Sequence, residues 1–259
     1  MTRNFLNTAT EAAKEAGKLL LDYYGTTTKS FKHDQSVLTE ADLKADKLIT
    51  SIILDKFPSH SIISEESGCT IKESEFLWII DPLDGSTNFS VCNPFFAVSI
   101  GLLYKRQPLI GVVYSPIQNE LFVTKKNKGA YLNDNLINVD IKATLEKSFI
   151  SFCNGRDSTS RKKIIQIYKR IKMKNNVIRH LGAPSLQLSY VASGRFGVFI
   201  MPGINSYDIV AGALIVQEAN GTVTDFHNNP FTLDSSNILA SSPSIHQKLS
   251  RILSQILDQ

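Results

Sequence analysis

Asp81 and Asp84 stand three residues apart in the stretch WIIDPLDGSTNF, Trp78 to Phe89, directly after an apolar run. Two carboxylates on one short turn repel, and one resists ionising unless a positive charge lies nearby. For hard oxygen donors that charge is supplied well by Mg2+, which takes a few carboxylates and keeps room for water and phosphate. Further acidic sites flank other apolar segments: SEES (Glu65, Glu66) and SYDIVAG (Asp208). Two Mg2+ ions a few ångströms apart can clamp both the attacking and the leaving oxygen of a phosphoryl transfer, given a carboxylate that bridges them. Pro82 fixes its own φ and Gly85 accepts either sign, so the turn suits such a site. The Leu83 carbonyl between the two aspartates is a further candidate ligand. Gly85, Ser86, Thr87 and Asn88 then open a helical turn, where free N–H groups can bind an anion. Carboxylates for metal beside amides for phosphate are the chemistry of a metal-assisted phosphatase.

Each of these residues also has a plainer reading. Asp-Pro-X-Asp-Gly is a common turn composition. Asp208 suits the first turn of a helix. Asp42 stands three residues after Thr39, as in a capping box, and Glu65 fits a strand end. Their convergence around one motif favours the site.

The elements that must position these residues can be read coarsely. A first helix is expected from about Asn7 to Tyr24, ending at Gly25. The polar segment TTTKSFKHDQSV (26–37) reads as a loop able to move. Thr39 starts a second helix with Ala45, Leu48, Ile49, Ile52 and Ile53 on its apolar face, ended by Pro58. SIIS (61–64) and FLWII (76–80) read as strands. FFAVSIGLLY, PLIGVVYSP and ELFVTKK follow as an antiparallel meander. After about residue 147 strands alternate with helices: SFISFC, a basic helix, a helix from Pro184 to Ser193, GVFIM, and a helix from Ser206 to about Asn220. GTVTDF, NILASS and a helix from Pro243 finish the chain. This order predicts an α+β or layered α/β protein. We expect a single domain over 1–259, with an α+β part to about 146 and an α/β part from about 147.

The 259 residues, 42% hydrophobic and 20% charged, are of ordinary globular composition. No run of eighteen apolar residues is present, so no membrane span is expected. Glu11, Lys14 and Glu15 interrupt the apolar pattern of the N-terminus, unlike a secretory signal; a soluble cytoplasmic protein is expected. Cys69, Cys92 and Cys153 form no CxxC and imply neither a disulfide framework nor a thiolate zinc site. His33, His60, His180, His227 and His246 are scattered and read as surface or capping residues. The net charge of +4 is mild. Basic residues concentrate in RKKIIQIYKRIKMK (161–174), where Ile164, Ile167 and Ile171 recur at helical spacing. That is an amphipathic surface helix. No zinc-finger or RNP-type motif supports the sharper reading of a nucleic-acid patch, and no nucleic-acid partner is expected.

WIIDPLDGSTNF closely resembles the first signature of the inositol monophosphatase family, and SYDIVAGALIVQEANG (Ser206–Gly221) resembles its second. SIISEES and LTEAD (38–42) occur in family order. The resemblance spans nearly the whole chain. It implies an αβαβα layered sandwich, usually a homodimer, hydrolysing a small phosphate monoester with Mg2+ and inhibited by Li+. It further implies that Glu65, Asp81 and the Leu83 carbonyl hold one metal, that Asp81, Asp84 and Asp208 hold a second, and that a third sits near Glu65. Asp42 and Ser86 would orient and deprotonate the attacking water, with Glu65 beside them in the catalytic set. Ser86 replaces the family's common threonine. The Gly85 and Ser86 amides would bind phosphate, and Thr26 to Val37 would be a mobile flap.

The expected substrate contacts, Gly85, Ser86, Ala183, Met201 and Asp208, include departures from that pattern. Inositol-specific members carry a glutamate seven residues before the second-signature aspartate; here that position is Met201, unless Pro202-Gly203 shifts the register. Methionine is a poor acceptor for sugar hydroxyls. Tyr207 stands where tryptophan is common, and in LGAPS the residue Ala183 lacks a hydroxyl. The expected substrate is therefore a small polyol or sugar phosphate resembling inositol 1-phosphate. The alternatives are 3'(2'),5'-bisphosphate nucleotidase, histidinol-phosphatase or fructose-1,6-bisphosphatase activity, or a non-catalytic RNA- or protein-binding regulator. Against the last, Asp42, Glu65, Asp81, Asp84 and Asp208 are all present.

Overall fold

A computed structural model describes residues 2–32, 37–175 and 177–257. The elements run α1 (Thr2–Tyr23), β1 (Lys29–Phe31), β2 (Val37–Thr39), α2 (Glu40–Lys56), β3 (Ser61–Ser64), β4 (Gly68–Thr70), β5 (Phe76–Asp84), α3 (Ser86–Ser90), β6 (Ala97–Tyr104), β7 (Gln107–Ser115), β8 (Glu120–Lys125), β9 (Ala130–Leu132) and β10 (Asn135–Ile137). They continue with β11 (Ile150–Phe152), α4 (Ser158–Lys172), β12 (Ile178–His180), α5 (Pro184–Ala192), β13 (Val198–Pro202), α6 (Ser206–Glu218), β14 (Thr222–Thr224), β15 (Asn237–Ser241) and α7 (Pro243–Leu257).

Five layers result. Helices α1 and α2 pack on β5, β6 and β7. These belong to an eight-stranded sheet ordered β10-β9-β8-β7-β6-β5-β3-β4. Helices α5 and α6 cover its other face and also touch the second sheet, ordered β12-β11-β13-β15-β14. Helices α4 and α7 close the far side of that sheet. The αβαβα sandwich expected from the sequence is what forms. Three apolar clusters hold the layers together: Trp78, Ile80 and Ile100 against α1 and α2; Phe122, Leu188, Ile215 and Phe199 on both sides of α5 and α6; and Ile167, Ile171 and Leu249 under α4 and α7.

The middle layer sits close because of small residues. Gly101 and Gly111 pair across β6 and β7. A Cβ at Gly111 would lie 2.7 Å from the Ala211 carbonyl oxygen, and one at Gly101 2.9 Å from Val210. Bare backbone there lets α6, which carries Asp208, lie down on the sheet that carries Asp81.

Several expectations need correction. Helix α1 begins at Thr2, before the expected Asn7. The polar segment 26–37 is not all loop: Lys29–Phe31 pairs antiparallel with Val37–Thr39, while 33–36, with His33, lie outside the described residues. The short strands β4, β9, β10 and β12 are too brief to show periodicity. His60 and His246 are buried, not surface residues. His60 Nδ1 accepts the Trp78 indole N–H (3.0 Å) and stacks against Phe57 and Phe76. His246 pairs with Ser241 and Thr224, and burial lowers its pKa to about 4. The basic helix is amphipathic as read, with Ile167 and Ile171 buried and its charges outward. Among the described residues no helix is long and apolar enough to cross a membrane.

Candidate active site

Strand β5 delivers two carboxylates to one place through a bulge. Asp81 pairs with Ser99 and Asp84 with Ala97, so three steps on β5 match two on β6. Side chains alternate along a strand, and residues three apart would ordinarily point to opposite faces. The extra residue cancels that alternation and puts both aspartates on one face. Pro82 lies in the bulge, where it has no ladder N–H to lose. Asp81 and Asp84 are both buried.

The other acids arrive from different elements. Glu65 follows β3, which runs parallel to β5, and its N–H donates to the Ile80 carbonyl. Asp208 lies in the first turn of α6 and accepts from Asn205 Nδ2 at 3.2 Å. Carboxylate oxygens of Glu65, Asp81 and Asp208 come within 4.8 Å of one another. Burial first, then the charges of Glu65, Asp84 and Asp208, hold the Asp81 pKa well above the usual carboxylate range. Asp84 is raised by burial in the same way. Burial and Glu65 push Asp208 up to about 7.

Asp42 caps α2 with one oxygen and faces Ser86 with the other. Oδ2 accepts the Thr39 N–H at 2.8 Å as the capping box of α2. Oδ1 lies 2.7 Å from the Ser86 hydroxyl. That hydroxyl also lies 2.9 Å from the Leu83 carbonyl, and its single proton serves one acceptor at a time. Burial raises the Asp42 pKa despite these bonds. Gly85 adopts φ 95°, the left-handed region, where an L side chain would be strained. It is the N-cap of α3, placing the amides of 85 and 86 at the turn.

Asp42 lies behind Ser86, and Glu65, Asp81, Leu83, Asp84, Ser86 and Asp208 line one cavity of about 510 Å³. Its opposite wall is made by the C-terminal ends of β11, β12 and β13: Asn154 and Arg156, His180, and Met201 with Gly203 and Ile204. Met201 is buried at the end of β13, pairing with Ile238. No acidic residue lies between Gly197 and Tyr207, so no register shift restores a carboxylate there. Ala183, expected to contact substrate, is instead wholly buried at the start of α5 between the cavity-lining Gly182 and Pro184, while Tyr207 lines the pocket. Sequence reading missed Lys32, Arg156 and His180. Lys32 Nζ bonds Glu65 at 3.0 Å and Glu66 at 2.7 Å. Burial nevertheless pushes the Glu66 pKa up to about 7. Nothing in the local sequence around these three signals a pocket, because strand ends from distant segments bring them together.

A positive charge would relieve the raised pKa values of Asp81, Asp84 and Asp208, and the donor set consists of carboxylates and one backbone carbonyl, all hard oxygens. It fits Mg2+ and lacks the sulfur or nitrogen donors that softer metals favour.

An αβαβα sandwich with buried carboxylates grouped at the end of a bulged central strand is the architecture of a sugar-phosphatase-type protein. The chain belongs to the inositol monophosphatase family, whose sequence model matches residues 1–258. It is 36% identical to a putative Nus factor SuhB of Neisseria meningitidis, over 96% of this chain and 98% of that protein. It is 37% identical to an inositol-1-monophosphatase of Synechocystis, over 97% and 89%. Its fold superposes on the extragenic suppressor protein suhB of Bartonella henselae with a TM-score of 0.92 at 33% identity, covering 97% and 99%. Membership places the chain in a phosphatase superfamily, while the relatives carry two kinds of name.

Proposed function

We propose that the protein is a phosphomonoesterase that releases phosphate from a small polyol or sugar phosphate in the presence of Mg2+. The observation that carries this reading is the convergence of Glu65, Asp81 and Asp208 beside Asp84 and the Ser86–Asp42 pair. Glu65, Asp81, Asp84, Asp208 and the Leu83 carbonyl would hold two or three Mg2+ ions. Bound there, the ions would offset the carboxylate charge, stabilise the phosphoryl oxygens and acidify a water molecule. The chain's own groups do the rest. The Gly85 and Ser86 amides hold and orient phosphate oxygens. Ser86 takes the proton of the attacking water and passes its own to Asp42 Oδ1, whose raised pKa suits a base. Burial of the site strengthens each of these interactions.

The alcohol half of the substrate rests against Met201, His180 and Arg156. Met201 withdraws the hydroxyl acceptor that inositol-specific members have, so we read a polyol or sugar other than inositol as preferred. The same proposal includes a homodimer, checked by sedimentation, and a cytoplasmic location. The relatives' Nus factor name and the exposed basic face of α4 support a second, binding role. Salt-sensitive RNA binding lost on charge reversal of Lys162 and Lys169 would establish it.

The deciding experiment measures phosphate release at graded Mg2+, with and without Li+. The panel holds inositol 1-phosphate, glycerol 2-phosphate, histidinol phosphate, fructose 1,6-bisphosphate and 3'-phosphoadenosine 5'-phosphate. Mg2+-dependent, Li+-sensitive turnover is expected. No turnover on any of them by folded protein that binds Mg2+ would refute the reading for these substrates.

A further inference from the structure

Helix α5 starts without a cap of its own. Its N-cap is Ala183, which makes no side-chain bond, and Pro184 follows with no N–H to satisfy. The next two N–H groups, of Ser185 and Leu186, need an acceptor. Asp84 supplies it from the other sheet: its Oδ2 lies 2.8 Å from the Ser185 nitrogen and 3.2 Å from the Leu186 nitrogen. The Ser185 hydroxyl donates a third bond to the same oxygen. Ser185 is wholly buried and Asp84 is 2% exposed. Close by, Asn88 Nδ2 ties the same segments through the Phe95 and Leu181 carbonyls, at 2.8 and 2.7 Å.

Three donors on Oδ2 leave Oδ1 as the oxygen for the pocket, and among the described residues no donor reaches it. The torsion of an aspartate carboxylate about its last bond is broad, so rotamer preference does not hold the plane of Asp84. All three donors, two amides and the Ser185 hydroxyl, meet on Oδ2 and hold that oxygen against the start of α5.

We infer that Ser185 is a positioning residue that holds Asp84 with one oxygen on α5 and the other presented to a cation. The inference rests on the Mg2+ reading of the site. Its consequence is selective: the site that uses Asp84 depends on Ser185, and the one built on Glu65, Asp81 and the Leu83 carbonyl does not.

The test is calorimetric titration of Mg2+ into chelator-treated wild type, Ser185→Ala and Ser185→Cys, with unfolding curves of the metal-free proteins alongside. In Ser185→Ala one class of site is expected to weaken by about tenfold, the low end for loss of a partner behind a metal ligand, while the other class is unchanged. Ser185→Cys, with a weaker donor, is expected between Ser185→Ala and wild type. A purely structural role in capping α5 would lower metal-free stability and leave the isotherm unmoved. Superimposable isotherms, or equal weakening of every site, would overturn the inference and leave the Mg2+ reading standing. Wild type that binds no Mg2+ would overturn both.

Discussion

Asp208→Asn should stabilise the metal-free protein at neutral pH while weakening its response to Mg2+. Asp208 is pushed from 3.8 to about 7 by burial and by Glu65. At roughly 1.4 kcal/mol per pKa unit, about three units mean that ionising Asp208 in the fold costs up to about 4 kcal/mol relative to the unfolded chain. The sign follows from proton counts. Between about pH 4 and pH 7 the folded chain holds the Asp208 proton and the unfolded chain does not, so stability falls as pH rises through that window and is level above it. Asparagine is nearly isosteric, keeps an acceptor for Asn205 and carries no charge. Denaturant unfolding in chelator should show the variant more stable than wild type by up to about 4 kcal/mol at pH 8, with the gap closing towards pH 4. Saturating Mg2+ should reverse the order, because wild type gains binding energy that the variant forgoes. Equal stabilities at pH 8 in chelator would refute the electrostatic account of the cluster.

Three further outcomes are expected. Asp81→Asn should fold, by circular dichroism, and lose about three orders of magnitude or more in kcat, since it removes the bridging carboxylate; near-normal turnover would sink the metal assignment. Met201→Glu should shift the ratio of kcat/KM for inositol 1-phosphate over glycerol 2-phosphate upward by about tenfold or more, as a restored acceptor pairs sugar hydroxyls; an unchanged ratio would show that position 201 does not read the alcohol. Gly111→Ala would place a methyl 2.7 Å from the Ala211 carbonyl oxygen and should cost about 1–3 kcal/mol, read as a lowered Tm; an unchanged Tm would mean that α6 can lift from the sheet without penalty.

The sequence alone determined a good deal. The spacing Asp-Pro-Leu-Asp-Gly after an apolar run marked the strand end, and Thr39 with Asp42 marked the start of α2. The helices and long strands followed from periodicity, which reports each element's own buried face. What the sequence left open was whether Asp42 only caps α2 or also faces the site; in the structure Oδ2 makes the cap and Oδ1 accepts from Ser86. Only the tertiary structure decided which face Asp81 and Asp84 share, because that depends on a bulge against β6. The partnership of Asp84 with Ser185 spans 101 positions, and no local pattern encodes it. Lys32, Arg156 and His180 reach the pocket for the same reason. Local patterns carry propensity and burial; convergence of strand ends from separate sheets depends on how the layers stack.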